Sequence, residues 1–561
     1  MSCFAVYLEV GEDGRCLAHV LDLPGCVVRA PARDDAMQQL PAAIHEYFAW
    51  LHRHGDSTPD PGEPARVEVA AESAGYGPFD TGDTAALFLP DREPATSEEM
   101  EQTFHLLAYS RADLLALTHH LPDDLLDWQP GAGSFSIRSL LRHVGNAEEW
   151  YVSRLVPPDT LPAEWEEDET LPIFEFLEME RRTAITRLRQ LSLDERAGVF
   201  HPAVWTAHPD EPWTARKVLR RFLEHEREHT EQVQAILAAR RRWLLARLAA
   251  ERAGLLEQIL YLDERALTQV PVSGDWSAKE ILAHIAAWNR WEERAMRSMV
   301  DGEAPDLAAC YDFDASNAAF VAPWRDQDLG EVLTEVQAAR SNWAAWLVGL
   351  TEETFFQSRA CAGDDWSFHT VPLRVQWEHD AEHAAQIAAW RTAAGLAGKV
   401  GTKAVLLAAL DAAWEELLAA AALVPVEGRE ALAVCGQWAL RDLLGHVADW
   451  EWFGAEGLRL MAAGQPPEVE TIVDVDAWNQ AHVQVRSGQS WEQVWDDLHT
   501  ARRALRDVLK EMDEAALACT FRFPWGTKGT PYEWVGVYFA HDREHARDLR
   551  LAVGLNWTPD V

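Results

Sequence analysis

Hydrophobic residues over most of the chain recur every three or four positions, which is the spacing of amphipathic helices. Three such stretches lie at about 97–120, 240–268 and 402–423, and each is followed by further signals of helix formation. Residues that can cap a first helical turn mark further helix starts at Ser136, Ser277, Asp328, Ser490 and Thr530. The pattern predicts four helices in each of three consecutive regions. In each region the second and third helices are joined by a long proline-containing segment, near 155–172, 301–327 and 463–489.

The first ninety residues have a different pattern. Residues 4–10, 15–20 and 21–28 read as strands, and residues 32–51 as an amphipathic helix. A stretch rich in proline, glycine and aspartate follows at 55–64. This order predicts a small, separate α+β domain ahead of the helical regions.

The helical regions are copies of one another. An aromatic residue stands eight positions before a histidine at Phe135…His143, Trp276…His284 and Trp438…His446. A pair of histidines four positions apart follows in each copy, at His225 and His229, His379 and His383, and His541 and His545. Copies two and three keep one offset of 162 positions over a hundred residues, whereas copy one is shorter and more divergent.

This repetition predicts a mainly α-helical protein with four domains. The expected boundaries are an α+β domain at 1–92 and four-helix bundles at 95–239, 240–397 and 398–561.

The histidines have the spacing of a metal site. Two histidines at i and i+4 lie on one face of a helix, and a third from a neighbouring helix completes a three-nitrogen set with an open position for water or substrate. The predicted ligands are His143, His225, His229, His284, His379, His383, His446, His541 and His545. A glutamate precedes the second histidine of each pair, at Glu228, Glu382 and Glu544. These glutamates are either solvated or orienting charges on the helix surface, or general bases beside a metal-bound nucleophile.

Composition narrows the classes of partner and compartment. The 561 residues carry a net charge of −41, which repels phosphate backbones and anionic lipid, so neither nucleic acid nor a membrane is expected as a partner. The most apolar run, residues 404–426, is interrupted by acidic residues, and the acidic N-terminus does not resemble a signal peptide. Seven scattered cysteines without a CxxC motif indicate a reduced, cytoplasmic protein, and none recurs between copies as a ligand would.

The three copies resemble the DinB-like superfamily of four-helix bundles, through the aromatic residue, the first histidine and the histidine pair quoted above. The resemblance covers roughly residues 95 to 561. Members of the superfamily are usually single-domain dimers, so the resemblance implies that packing of the three copies within one chain takes the place of dimerisation. It implies a divalent metal ion, commonly zinc or nickel, on the histidine triad. Relatives include S-transferases and isomerases that use bacillithiol, mycothiol or glutathione, and a related branch hydrolyses reactive small molecules. A low-molecular-weight thiol is therefore a second cofactor to consider.

The N-terminal domain resembles the HicB-type antitoxin fold. The resemblance lies in Tyr7-Leu-Glu-Val10, Gly14, Leu21-Asp-Leu-Pro-Gly-Cys26 and the following helix with Ala36. Leu21 replaces the usual proline, and the sequence shows no attached DNA-binding segment, so operator binding is not expected.

Three functions compete at this point. The first is a metal-dependent transferase or hydrolase, in which a thiol or water attacks a small electrophile. The second is a stress or interaction protein that holds metal without catalysis. The third is a peptidase, because His-x-x-Glu-His is also the inverted zincin motif, but three small helical copies do not offer that family's scaffold.

Charges near the first histidine divide the copies. Arg142, Arg290 and Arg294 favour copies one and two as sites for an anionic thiol, whereas Glu451 makes copy three a structural or water-using site.

Overall fold

A computed structural model describes residues 3–555 of the chain, except 58–64, 76–85, 132, 158–159, 163–164, 166–169, 203–204, 207, 362–363, 370–371, 397, 399 and 470–471. It divides into two compact units, Met1–Leu237 and Ala238–Val561. None of the described helices is both long enough and apolar enough to cross a membrane.

The first unit begins with a four-stranded sheet and one helix. The elements are β1 (Cys3–Val10), β2 (Cys16–His19), β3 (Val27–Ala30), α1 (Arg33–Arg53) and β4 (Arg66–Ala74). The strand order is β3-β2-β1-β4, with antiparallel pairing except between β1 and β4, which are parallel. The predicted β-β-β-α order is confirmed, and a fourth strand is added.

Two details of this domain differ from the prediction. The strand expected at 21–28 begins only at Val27, because Pro24 and Gly25 form a turn in which Gly25 has a φ of +84°. Strand β4 was not predicted, since its large apolar residues are limited to Val67 and Val69 and the rest of the strand is small or polar. Most of the predicted loop at 55–64 lies outside the described residues.

Copy one follows in the same unit. Its helices are α2 (Ser97–Thr118), α3 (Asp123–Leu126), α4 (Ile137–Val152), α5 (Ile173–Arg189), α6 (Leu193–Ala197) and α7 (Ala215–Ile259). Ser136 caps α4, as predicted. The helix predicted at 240–268 is not separate, because α7 runs unbroken for 45 residues across the predicted boundary at 239 and 240. No proline or capping signal interrupts the apolar periodicity there.

Copy two combines the end of α7 with further helices and two short hairpins. The helices are α8 (Glu264–Gln269), α9 (Ala278–Val300), α10 (Phe313–Val321), α11 (Leu329–Val348), α12 (Glu352–Phe356) and α13 (Pro372–Ala393). The hairpin strands are β5 (Pro271–Ser273), β6 (Trp276–Ser277), β7 (Arg359–Cys361) and β8 (Asp364–Trp366). Ser277 and Asp328 cap α9 and α11, as predicted.

Copy three repeats this plan. Its helices are α14 (Lys403–Ala421), α15 (Leu440–Ala462), α16 (Val475–Arg486), α17 (Trp491–Glu511) and α18 (Pro531–Ala552). Its hairpin strands are β9 (Ala433–Cys435), β10 (Trp438–Ala439), β11 (Phe521–Arg522) and β12 (Lys528–Gly529). Ser490 and Thr530 cap α17 and α18, as predicted. The long connections of copies two and three each contain an extra helix, α10 or α16, that was not predicted.

Copies two and three share a hydrophobic core in the second unit. One cluster of buried residues extends from Ala253 in α7 to Phe539 in α18. The Tyr261 ring packs on Tyr532, and Gln337 of α11 donates a hydrogen bond to Glu415 of α14. The two copies therefore pack against each other through different helices.

The glycines of α15 allow its close approach to α18. A methyl group at Gly457 would collide with the indole ring of the fully buried Trp534, whose Nε1 donates to the Gly454 carbonyl oxygen. Gly457→Ala should destabilise the protein by about 1–3 kcal/mol through overpacking, although alanine in an open helix would gain about 1 kcal/mol. Urea unfolding measures this change. Gly488→Ala is the control, since its methyl group would meet no atom within 4 Å; equal stability of the two variants would contradict the prediction.

Candidate metal centres

Each copy brings its three predicted histidines together through their Nε2 atoms. In copy two the Nε2 of His379 lies 2.9 Å from that of His284 and 3.0 Å from that of His383. The corresponding distances are 3.1 and 3.0 Å around His225 in copy one, and 3.0 and 2.9 Å around His541 in copy three. All three triads have the geometry of a group that could hold a metal ion.

Local structure explains how each triad is positioned. In copies two and three a β-hairpin leads into the second helix and places a tryptophan beside the first histidine. The Trp276 ring lies 5.2 Å from His284, and Trp438 lies 4.9 Å from His446. In copy one Phe135 takes this place, 6.2 Å from His143. The recurring aromatic residue therefore packs on the first histidine in every copy.

Six of the nine imidazoles have a lowered pKa, which keeps them neutral at neutral pH and suits them to bind a metal ion. Burial and the neighbouring histidines lower the pKa of His284 to about 3 and that of His379 to about 4. Burial also lowers the pKa of His225, His229, His446 and His541. In each copy the Nδ1 of the last histidine lies within hydrogen-bond distance of a side-chain oxygen from the residue three positions later. That residue is Gln232, Gln386 or Asp548. When Nδ1 carries the proton, the Nε2 lone pair of this histidine faces the Nε2 atoms of the other two histidines. Three lone pairs that face one another are stabilised by a cation between them.

The three glutamates named as candidate bases are placed differently. Glu228 is paired with Arg29 of the N-terminal domain at 2.5 Å. Glu382 is exposed and lines a cavity at its triad. Glu544 is exposed on α18. Only Glu382 thus combines the predicted position with a cavity in front of the histidines.

A different acidic position lies in the core: the residue directly after the first histidine of each pair. Asp380 is fully buried and accepts hydrogen bonds from Arg252 at 3.1 Å and Arg340 at 2.8 Å. Both guanidinium groups also donate to Asn289 Oδ1 at 3.1 Å. Burial would raise the pKa of Asp380, but the two arginines outweigh it and hold that pKa below its usual value.

The same network recurs with other residues. In copy one Arg111 and Arg181 pair with Glu148 and Glu226. In copy three Arg502 alone pairs with Glu451 and Asp542 and lies over the Trp414 ring, which stands where the second arginine would be. Glu451, whose charge was expected to disfavour an anionic thiol in copy three, therefore belongs to this buried network. The acid after the first histidine recurs in all three copies, so the sequence held a signal for it.

Copy two also has a cavity of about 750 Å³ in front of its triad. His284 and His379 line it, together with the apolar residues Trp288, Trp291, Leu307, Tyr311, Phe313 and Trp366. Its described lining includes three carboxyl groups, from Glu292, Glu378 and Glu382, and neither lysine nor arginine. Arg290 pairs with Glu335 instead, so the basic residue expected to attract an anionic thiol is engaged elsewhere. In copy one Arg142 lies over the Phe176 ring.

Aromatic side chains occupy the matching region of copy three. Trp450 stacks with Trp478 at 4.8 Å and lies 6.3 Å from His541, and Tyr538 packs against Gly454. At the 162-residue offset copy two has Ser316 and Gln376 in place of Trp478 and Tyr538. Copy two therefore has no ring at these two positions, one of which, Gln376, lines its cavity.

One further cluster involves a cysteine. Cys435, His545 and Asp548 lie close enough to hold an ion, although no cysteine was expected as a ligand. Burial raises the pKa of Cys435 to about 11, which disfavours the thiolate that a metal requires. His545 also already belongs to the triad of copy three.

The three copies match the family model described as the DinB superfamily, over residues 106–233, 244–387 and 409–549. The chain therefore belongs to the DinB superfamily. No curated protein and no solved structure matches it in the other two searches. The family match begins after the N-terminal domain, so its HicB-like character stays a prediction.

Removal of the Asp380 carboxylate from the buried network should lower the free energy of unfolding of copy two. Asp380→Asn leaves two buried guanidinium groups without a counter-charge and should cost about 3–5 kcal/mol of unfolding free energy. Adding Asn289→Asp restores one carboxylate beside both arginines and should recover at least half of the loss. Chemical denaturation measures both, with Glu382→Gln, an exposed site, as the control. A loss for Asp380→Asn no larger than for Glu382→Gln would refute the role of the network.

Proposed function

We propose that this DinB superfamily protein binds divalent metal ions at its three histidine triads and acts on a small electrophile in the cavity of copy two. The reaction class is transfer or hydrolysis, with a thiol or water as the nucleophile. The observation that carries the proposal is the opening of a 750 Å³ cavity onto His284 and His379. Zinc and nickel, the metals that the family resemblance implies, are among those that imidazole ligands suit.

The choice of nucleophile depends on the charges around the cavity. A divalent ion on three neutral imidazoles would lower the pKa of a thiol or water at its open position. Glu378 and Glu382 at the cavity repel an anionic thiol such as glutathione, and the described lining offers no basic residue to offset them. Water, or a thiol without net negative charge, therefore suits copy two better.

Glu382 is the proposed proton acceptor. It precedes His383, lines the cavity and is exposed, so its carboxylate is available. Glu228 is less suitable because Arg29 holds it, and Glu544 remains a candidate only for copy three.

Metal binding without catalysis is the alternative function. The aromatic residues that surround the triad of copy three favour it for that copy. The proposed setting of either function is the cytoplasm, which agrees with seven cysteines that form no disulfide. Small molecules remain the proposed partners, and the contacts between copies are proposed to replace dimerisation.

The purified chain should carry up to three divalent ions. Since each triad takes its ligands from its own copy, His379→Ala should lower the content by one ion and leave the other two sites filled. Elemental analysis after loading with zinc or nickel measures this, and His105→Ala, which removes an exposed histidine outside the triads, is the control. Metal content below a tenth of an equivalent in the wild-type protein would end the metal proposal.

Turnover separates the enzyme from the binding protein. Metal-loaded protein is incubated with a chlorodinitroarene and bacillithiol, mycothiol, glutathione or cysteine, and hydrolysis is followed without thiol. Metal-dependent turnover that His379→Ala abolishes and His105→Ala keeps is the expected result. Lack of turnover under every condition would leave the non-catalytic function.

A further inference from the structure

The cavity of copy two contains a buried carboxyl group at a position where the other copies have none. Glu292 lies two helical turns after His284 on α9, is buried, and lines the cavity. At the matching positions copy three has Gly454 and copy one has Tyr151, eight residues after their first histidines. A buried carboxyl group is costly to keep unless it makes a specific interaction.

A chain of hydrogen bonds connects Glu292 to the buried arginines. Guanidinium groups only donate, so Arg252 and Arg340 fix Asn289 with its oxygen toward them. The Asn289 amide nitrogen then donates to Gln376 Oε1, and Gln376 Nε2 donates to Glu292 Oε2. The donor and acceptor of every hydrogen bond in this series are therefore determined by the two arginines at which the series begins.

This direction determines what Glu292 can offer a ligand. Its Oε2 accepts the bond from Gln376, and the described residues give its carboxyl group no second hydrogen bond. Burial raises the pKa of Glu292 to about 8, against the opposing effects of Gln376 and Arg340. Burial therefore favours the neutral acid, and its proton belongs on Oε1, the oxygen that Gln376 does not contact.

We propose that Glu292 is the specificity-determining residue of copy two and donates a hydrogen bond to the acceptor oxygen of an uncharged, mostly apolar small molecule bound in this cavity. The proposal rests on the proposed function in taking the cavity as the substrate site. The ligand class is a small aromatic or aliphatic compound with one carbonyl-like oxygen.

The rest of the lining supports this ligand class. Trp288, Trp291 and Trp366 offer flat apolar surfaces, and Tyr311 and Phe313 remain mostly exposed beside the cavity. A negatively charged ligand would meet Glu378 and Glu382. An apolar ligand without an acceptor would leave the Glu292 proton unpaired in a buried place.

The test compares three probes of nearly equal size: acetophenone, which has one acceptor oxygen, ethylbenzene, which has none, and benzoate, which is an anion. Their binding to the full-length, zinc-loaded chain is measured by ligand-observed NMR titration. Acetophenone should bind about tenfold more tightly than either other probe, the effect of about one buried hydrogen bond.

Variants assign this preference to Glu292. Glu292→Leu should remove the tenfold preference of acetophenone over ethylbenzene, whereas Glu292→Gln, which can still donate, should keep most of it. The pair Glu292→Gly and Gln376→Tyr grafts the copy-three residues and should abolish binding of all three probes. Glu303→Leu, at an exposed position outside the cavity lining, is the control. Thermal unfolding and metal content verify that each variant is folded and loaded.

The outcomes separate this inference from the proposed function. No binding of any probe to the wild-type chain, tighter binding of benzoate, or an unchanged preference in Glu292→Leu would overturn the inference, even if turnover is found. A preference that depends on Glu292 in a protein without metal-dependent turnover would support the inference and reject the enzymatic function.

Discussion

The pairing of buried arginines with buried acids is the interaction on which each bundle depends. In copy two Arg252, Arg340, Asn289 and Asp380 come from all four helices and meet at one point beside the triad. Removal of one partner from such a network strands a buried charge, so substitutions in it must be compensated. The three copies balance these charges in different ways. Copy one uses two arginines and two acids, copy two uses two arginines with one acid and one amide, and copy three uses one arginine and two acids. Because Asp380 directly follows His379, this network also holds the helix that carries two of the three triad histidines.

Comparison of the copies with one another predicted what they share and missed what distinguishes them. The nine histidines, their aromatic neighbours and the helix caps recur, and the structure places them as the repeat indicated. Glu292 was missed because its counterparts are Gly454 and Tyr151, so it leaves no repeated pattern. The unbroken α7 and the exposed strand β4 were missed for physical reasons, since α7 lacks a stop signal and β4 has only two large apolar residues.

Differences in packing, rather than in ligands, set copy two apart. All three triads keep the same geometry, while the aromatic residues around them change. Where Trp478 and Tyr538 occupy space in copy three, Ser316 and Gln376 leave it open in copy two. A repeated fold can therefore specialise one copy by loss of side-chain volume while the metal ligands stay the same. The cavity also gives the hydrogen-bond series that ends at Glu292 access to a bound ligand; without the cavity this series would end in the core.

The contact between copies two and three has a geometric consequence. Helix α11 of copy two contacts α14 of copy three, and Arg543 of α18 pairs with Glu257 of α7. The first and third helices of copy two therefore face the first and fourth helices of copy three. Such a contact joins different faces of the two copies, in contrast to the self-complementary face of a two-fold dimer. A chain built on it can lengthen by further duplication, each new module meeting a surface already present on the last. Only the linker and the exposed terminal face then limit how many modules a chain can accumulate.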